Sequence, residues 1–291
     1  MEDSVRQFLK GTNTTIFAYG QTGAGKTYSI IGNYSPDDSQ ENLFNFLSSK
    51  ERGVLSRSLE MIMTFALKDP SARFTVSFYQ IYNEKIYDLY NYSNLGLDIR
   101  ETRSGEISIP GLVSIEIGTM EEAIDFLMVG LKNRATGSTH ANAKSSRSHS
   151  IFQISMERKE NGQSLTSSLR IVDLAGSEKF KIPSDLTGPE KEVRIQELTS
   201  INSSLSCLGH CISALIDRSR THIPFRNSKL TRILSESLLG HGKMRFIICI
   251  SPSTSAAAET FSTLQFANRA KRAIFDRADK SPSPLKKKSE T

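Results

Sequence analysis

Eight consecutive residues, Gly20-Gln21-Thr22-Gly23-Ala24-Gly25-Lys26-Thr27, set glycines, a lysine and a hydroxyl at the spacing G-x-x-x-x-G-K-[ST]. Such glycines let the backbone turn its N–H groups inward, and a helix opening at the end of the loop adds the positive end of its dipole, so the loop suits a phosphate. Lys26 would reach the β- and γ-phosphates and the Thr27 hydroxyl would ligate Mg²⁺. A phosphate cradle is half of a nucleotide-hydrolysing site, which also needs a second contact to the cation and a group that senses the γ-phosphate. Residues 170–178, RIVDLAGSE, offer both: Asp173 ends an apolar run, and Gly176 follows three residues later with an N–H to aim at the phosphate. Taken alone, that Asp-x-x-Gly is equally an ordinary turn at a strand end. Residues 142–149, NAKSSRSH, gather hydroxyls, an amide, an arginine and a histidine that suit cation, water or phosphate oxygen. Without its neighbours this stretch is also a solvated loop with helix-capping serines.

Elements able to hold these groups show as patterns. Residues 14–19, TTIFAY, are a β-branched and aromatic run expected as a buried strand that feeds the glycine-rich turn and then a helix. Residues 5–10 read as a helix end stopped by Gly11, and 53–68 as a helix ending before Asp69-Pro70, with polar loop at 36–40 between them. Period-two alternation in 73–82, RFTVSFYQIY, predicts a strand, and small strands are expected through 97–117. Thr119-x-x-Glu122 is a capping box opening a helix to about 134, followed by an expected loop over 135–149. Two neighbouring strands are expected at 150–156 and 169–174. Leu198, Ile201, Leu205, Leu208, Ile212 and Leu215 recur at three- and four-residue spacing and mark a long helix within 188–216. A helix at 228–239, a strand at 244–250 and a last helix at 256–275 complete an α/β pattern, a sheet with helices on both faces.

Composition narrows the class. A chain of 291 residues, 37% hydrophobic and 23% charged, buries a real core and is neither collagen-like, disordered nor a disulfide scaffold. No apolar run is long enough for a transmembrane helix, and MEDSVRQFLK has no signal-peptide core. The three cysteines form no Cys-x-x-Cys pair, which fits buried thiols in a reducing compartment. Of the formal charge of +6, residues 266–291 contribute eight Lys/Arg against three acids. The remaining body is nearly neutral, so any basic face in it must come from clustering. Residues 218–232, RSRTHIPFRNSKLTR, are such a cluster, with five Lys/Arg and no acid.

AYGQTGAGKTY, N-x-x-SSRSH and DLAGSE, in that order, resemble the kinesin motor family. Further similar stretches are YNEKIYDL (82–89), SINSSLSCLG (200–209), HIPFRNSKLTRIL (222–234) and ETFSTLQFANRAK (259–271), so the resemblance spans about 5–275. Myosin shares the phosphate loop and a similar first switch but has a different second one, and no N/T-K-x-D sequence points to guanine. The resemblance implies a P-loop NTPase with a mixed β-sheet flanked by helices on both faces, ATP and Mg²⁺ as cofactors, and a cytoplasmic place on the microtubule cytoskeleton. Ser145 and Ser146 would close on the nucleotide, Ser146 on Mg²⁺ and Ser145 near the attacking water, with Asn142 steadying the phosphates and Asp173 holding Mg²⁺ through water. Arg147 and Glu178 would form an ion pair latching the two switches when ATP is bound, and the Tyr28 ring would lie against adenine.

By the same resemblance the acidic tubulin surface would meet Lys179, Lys181, Arg218, Arg220, Arg226, Lys229 and Arg232, with Lys191 and Arg194 as further candidates. No nucleic-acid partner is expected, and dimerisation only through a coiled coil outside the chain. Ser203, Asn227, Leu239 and Gln265 stand where many members have lysine, aspartate, glycine and arginine. Family members also carry several dozen residues before the helix at 5–10, including a central strand with R-x-R-P. The expectation is therefore a motor domain over 1–275 lacking its N-terminal part, with an exposed apolar sheet edge, and a disordered basic tail at 276–291. Ser281-Pro282 and Ser283-Pro284 beside the lysines at 286–288 are candidate phosphorylation sites. The activity expected is microtubule-stimulated ATP hydrolysis. A nucleotide-gated microtubule tether without turnover and an inactive motor fragment are the alternatives.

Overall fold

The structure, a computed structural model, describes residues 1–33, 50–93, 95–102, 107–140, 145–160, 162–178, 188–217, 219–220 and 222–278. The loop expected at 36–40 lies outside these, as does the tail expected at 276–291 from residue 279 on; residues 276–278 instead close the last helix, which ends at Ala278 and not at 275.

Helix α1 (Glu2–Leu9) leads into strand β1 (Thr14–Tyr19), and the glycine-rich turn delivers the chain to a short helix, α2 (Lys26–Ile30). Helix α3 (Val54–Ala66) precedes the hairpin of β2 (Arg73–Tyr82) and β3 (Lys85–Asp88). The short strands β4 (Arg100–Glu101) and β5 (Ile107–Ser108) pair with each other, and β6 (Ile115–Ile117) joins β2. Helix α4 (Met120–His140) follows, then the long hairpin of β7 (His149–Glu160) and β8 (Gln163–Asp173). Helix α5 (Gly188–Ile216), short helices α6 (Lys229–Ile233) and α7 (Ser235–Leu239), strand β9 (Lys243–Ile248) and helix α8 (Ala257–Ala278) complete the order.

The main sheet runs β3-β2-β7-β8-β1-β9, with β1 parallel to both β8 and β9 and the β2, β7 and β8 neighbours antiparallel. Strand alternation divides the core into two layers. Ile16, Val76, Phe152 and Ile171 pack with α1, α3 and α4 on one face, whereas Phe17, Tyr79, Ile151 and Val172 pack with α5, α6 and α8 on the other. In α5 the apolar stripe inferred from sequence is buried at Leu198, Ile201, Leu205, Leu208 and Ile212. Cys207, Cys211 and Cys249 are buried free thiols.

Three further expectations change in extent. The loop expected over 135–149 begins later, because α4 continues to His140; its buried Leu131 and Arg134 anchor a helix whose last, small polar residues have weak propensity of their own. The helix expected at 228–239 is divided at Leu234, which has φ −91° and ψ 0°. Strands β7 and β8 run beyond their apolar parts, the ladder persisting to Glu160↔Gln163 although its outer half is mostly polar. Among the described residues β9 pairs with β1 alone. A groove of about 740 Å³, lined by Met244, Phe246, Ile248, Ala270 and Ile274 among others, runs beside that open edge.

Candidate functional site

Strands β1 and β8 lie side by side in parallel, with Ala18 opposite Asp173, so the glycine-rich loop and the Asp173 turn leave the sheet together at the C-terminal ends of these two strands. Gly20 adopts φ +153°, and a Cβ there would run into the Cys249 carbonyl, so only glycine lets the loop leave β1 this way. Gly25, at φ +95°, turns the chain into α2. A Cβ on Gly23 or Gly25 would meet nothing within 4 Å, so open space lies over the loop where a ligand would rest. A cleft of about 220 Å³ is lined by Thr22, Gly23, Gly25, Lys26, Thr27, Tyr28, Ser146 and Leu174.

Within it the Thr27 hydroxyl donates to Asp173 Oδ2 at 2.8 Å. Asp173 Oδ1 is buried and makes no hydrogen bond, which leaves it spare acceptor capacity. Lys26 is buried and its Nζ donates to the Gln21 carbonyl at 2.9 Å. Burial pushes the Lys26 ammonium below its usual value, while Asp173 and Glu178 push the other way. An open glycine cradle, a buried ammonium, a hydroxyl and a carboxylate with a spare oxygen form a donor set that fits Mg²⁺ and a nucleotide phosphate. Tyr28 stands exposed at the rim, free to meet a base.

The other two motifs reach the same place. The Gly176 N–H donates to the Ser146 carbonyl at 2.9 Å, clasping the turn at 145–147 to the Asp173 turn, and the Ser177 N–H donates to the Gly20 carbonyl at 3.1 Å. Gly176 thus spends its N–H on Ser146, not on an open phosphate position. Glu178 accepts from the Thr22 N–H at 2.8 Å and from the Thr22 hydroxyl, so its carboxylate lies on the phosphate loop. Arg147 and Glu178, expected to pair when ATP is bound, have other partners here. Arg147 Nη1 instead meets Glu197 Oε2 on α5 at 2.8 Å, and the Tyr82 hydroxyl also donates to Glu197. Glu197 is 1% exposed, so its charge is compensated from two sides, and Tyr82 is held above its usual pKa range by burial and by that carboxylate.

Sequence reasoning missed Glu197, Tyr82, Arg134 and the work of His149. Arg134 on α4 pairs with Asp173 Oδ2 at 3.1 Å. His149 Nδ1 accepts the Ala175 N–H at 3.0 Å, and its Nε2 meets Ser204 Oγ on α5 at 2.8 Å. Asn142 lies outside the described residues, and Ser145 opens the 3₁₀ turn Ser145–Arg147 with its side chain outside the description.

The expected basic surface is partly neutralised. Lys179, Lys181 and Arg218 lie outside the described residues, as do the side chains of Lys191 and Arg194. Arg220 pairs with Asp217 at 3.4 Å. Arg226 and Arg232 meet Glu101 at 3.2 and 3.4 Å, and Lys229 meets Asp98 at 2.8 Å.

Comparison with known proteins agrees with this geometry. Residues 1–273 match the family model described as the kinesin motor domain. The kinesin heavy chain of Botryotinia fuckeliana is 41% identical over 98% of this chain, and kinesin-related protein 3 of Dictyostelium discoideum 40% identical over 92%. The matched regions are 32% and 22% of those proteins, so the chain spans about a third or less of their length. A solved structure titled as that of a fast kinesin superposes with a TM-score of 0.81 at 40% identity, covering 93% of this chain and 73% of that one. With the phosphate loop and both switch motifs converging on one cleft, the chain belongs to the kinesin motor domain family.

Proposed function

We propose that the chain is a motor head that binds microtubules and hydrolyses ATP, with Mg²⁺ held by Thr27 and Ser146 and, through water, by Asp173. The observation that carries this is the cleft that Lys26, Thr27 and Ser146 line at the ends of β1 and β8, with Asp173 hydrogen-bonded to Thr27 beside it. The Gly20–Thr27 loop and Lys26 hold the phosphates, Tyr28 the base, and Asn142 steadies the phosphate region. Ser145 positions the attacking water and Glu178 belongs to the relay that removes its proton. Mg²⁺ would neutralise charge on the β- and γ-phosphate oxygens. Arg147 has two carboxylates to choose between: on Glu197 it ties the first switch to α5, and on Glu178 it would tie the two switches together. Exchange between them would link the nucleotide cleft to α5, whose N-terminal basic residues and the 218–232 cluster would face acidic tubulin.

The test is phosphate release by the monodisperse chain with MgATP, with and without microtubules, using Lys26→Ala as the blank. Stimulation by microtubules that disappears in the blank is the expected result. Microtubule binding with a non-hydrolysable ATP analogue but no turnover would replace the motor with a nucleotide-gated tether.

A further inference from the structure

Asp173 Oδ2 is shared: it accepts from Thr27 Oγ1 at 2.8 Å and from Arg134 Nη1 at 3.1 Å. The Arg134 and Asp173 side chains are only 5% and 3% exposed, so this ion pair lies in the protein interior beside the cleft. Arg134 comes from α4, outside all three motifs, and its charge also reaches Lys26 and His149, disfavouring protonation of both. An arginine stays charged and offers a rigid planar fork, so it is a permanent local cation.

We propose that Arg134 is a positioning residue that competes with Mg²⁺ for the Asp173 carboxylate, and so sets the free Mg²⁺ at which nucleotide is retained. The inference rests on the nucleotide-site reading above. Two cations drawn to one carboxylate oppose each other, and the opposition is reciprocal: metal on Asp173 loosens Arg134, and a tighter Arg134 weakens the metal. Helix α4 runs on from Arg134 to His140, shortly before the turn Ser145–Arg147, so the hold on Arg134 also bears on the chain that carries Ser146. Movement of that helix would alter the hold on the metal without touching the nucleotide.

The experiment follows retention of a fluorescent N-methylanthraniloyl ADP on the whole chain across EDTA-buffered free Mg²⁺. Wild type, Arg134→Lys and Arg134→Gln are compared, with thermal unfolding of each. Without the competing charge, Arg134→Gln should reach half-retention at about tenfold less free Mg²⁺. Arg134→Lys keeps the charge and loses the rigid fork, and should shift about two- to threefold the same way. If Arg134→Gln does not fold, Arg134→Lys decides. A lower melting temperature with an unchanged or raised Mg²⁺ midpoint overturns the proposal and leaves Arg134 a fold-holding residue. Wild type that retains no nucleotide at any Mg²⁺ concentration would instead remove the nucleotide-site reading, and this inference with it.

Discussion

Burial holds His149 neutral. The Ala175 N–H occupies Nδ1, so the ring proton belongs on Nε2, facing Ser204. The imidazole thereby joins the end of the first switch motif to the second and to α5, in a space that cannot hydrate a positive ring. Desolvation, with Arg134 and Lys26 nearby, lowers its pKa to about 3. Because this folded value is below that of the unfolded chain, near 6.5, the unfolded state binds the extra proton first. The stabilisation is complete above about pH 6.5 and is lost progressively as pH falls toward 3. Wild type should lose about 1 kcal/mol more than His149→Asn between pH 7 and 5.5, read from urea midpoints. Equal slopes would show that His149 is not the titrating group. The SSRSH histidine was legible as a motif member, but its partners were not, since contacts such as Arg134–Asp173, Arg147–Glu197 and Tyr82–Glu197 join residues 39, 50 and 115 positions apart. The phosphate loop was legible because its chemistry is contiguous.

At the scale of elements, local signals located starts better than ends. The Thr119–Glu122 capping box forms as expected: Thr119 Oγ1 accepts the Glu122 N–H at 3.2 Å, and Glu122 Oε2 accepts from Gly118 and Thr119. The far end of α4 depends on Leu131 and Arg134 packing into distant elements, which spacing within the helix does not reveal. The division at Leu234 is likewise tertiary, since Leu230, Ile233, Leu234 and Leu238 all seek the same core layer on short helices. Thr119→Ala should therefore lower global stability by about 1 kcal/mol in chemical denaturation. Its nucleotide retention should match wild type, because the cap is at the opposite end of α4 from His140. A loss of retention at full stability would mean that the start of α4 also positions Arg134.

At the scale of the whole molecule, charge is distributed differently from the linear sequence. Residues 218–232 read as five unopposed cations, yet the chain folds Asp98 and Glu101 against Arg226, Lys229 and Arg232. Arg226 and Asp98 are well exposed, so the Arg226–Glu101 and Lys229–Asp98 pairs contribute little to folding, but all three pairs offset the field that the cations present. An acidic partner must compete with two carboxylates already in place. Replacing both, as Asp98→Asn with Glu101→Gln, should free the cations and tighten microtubule binding by about three- to tenfold at low ionic strength, measured by co-sedimentation. The gain should shrink as salt shortens the screening length, and the melting temperature should barely move. Weaker binding by the folded double variant would mean that Asp98 and Glu101 shape the docking face instead of masking it. Affinity unchanged at every salt concentration would place the docking face elsewhere on the molecule, away from the Arg226, Lys229 and Arg232 cluster.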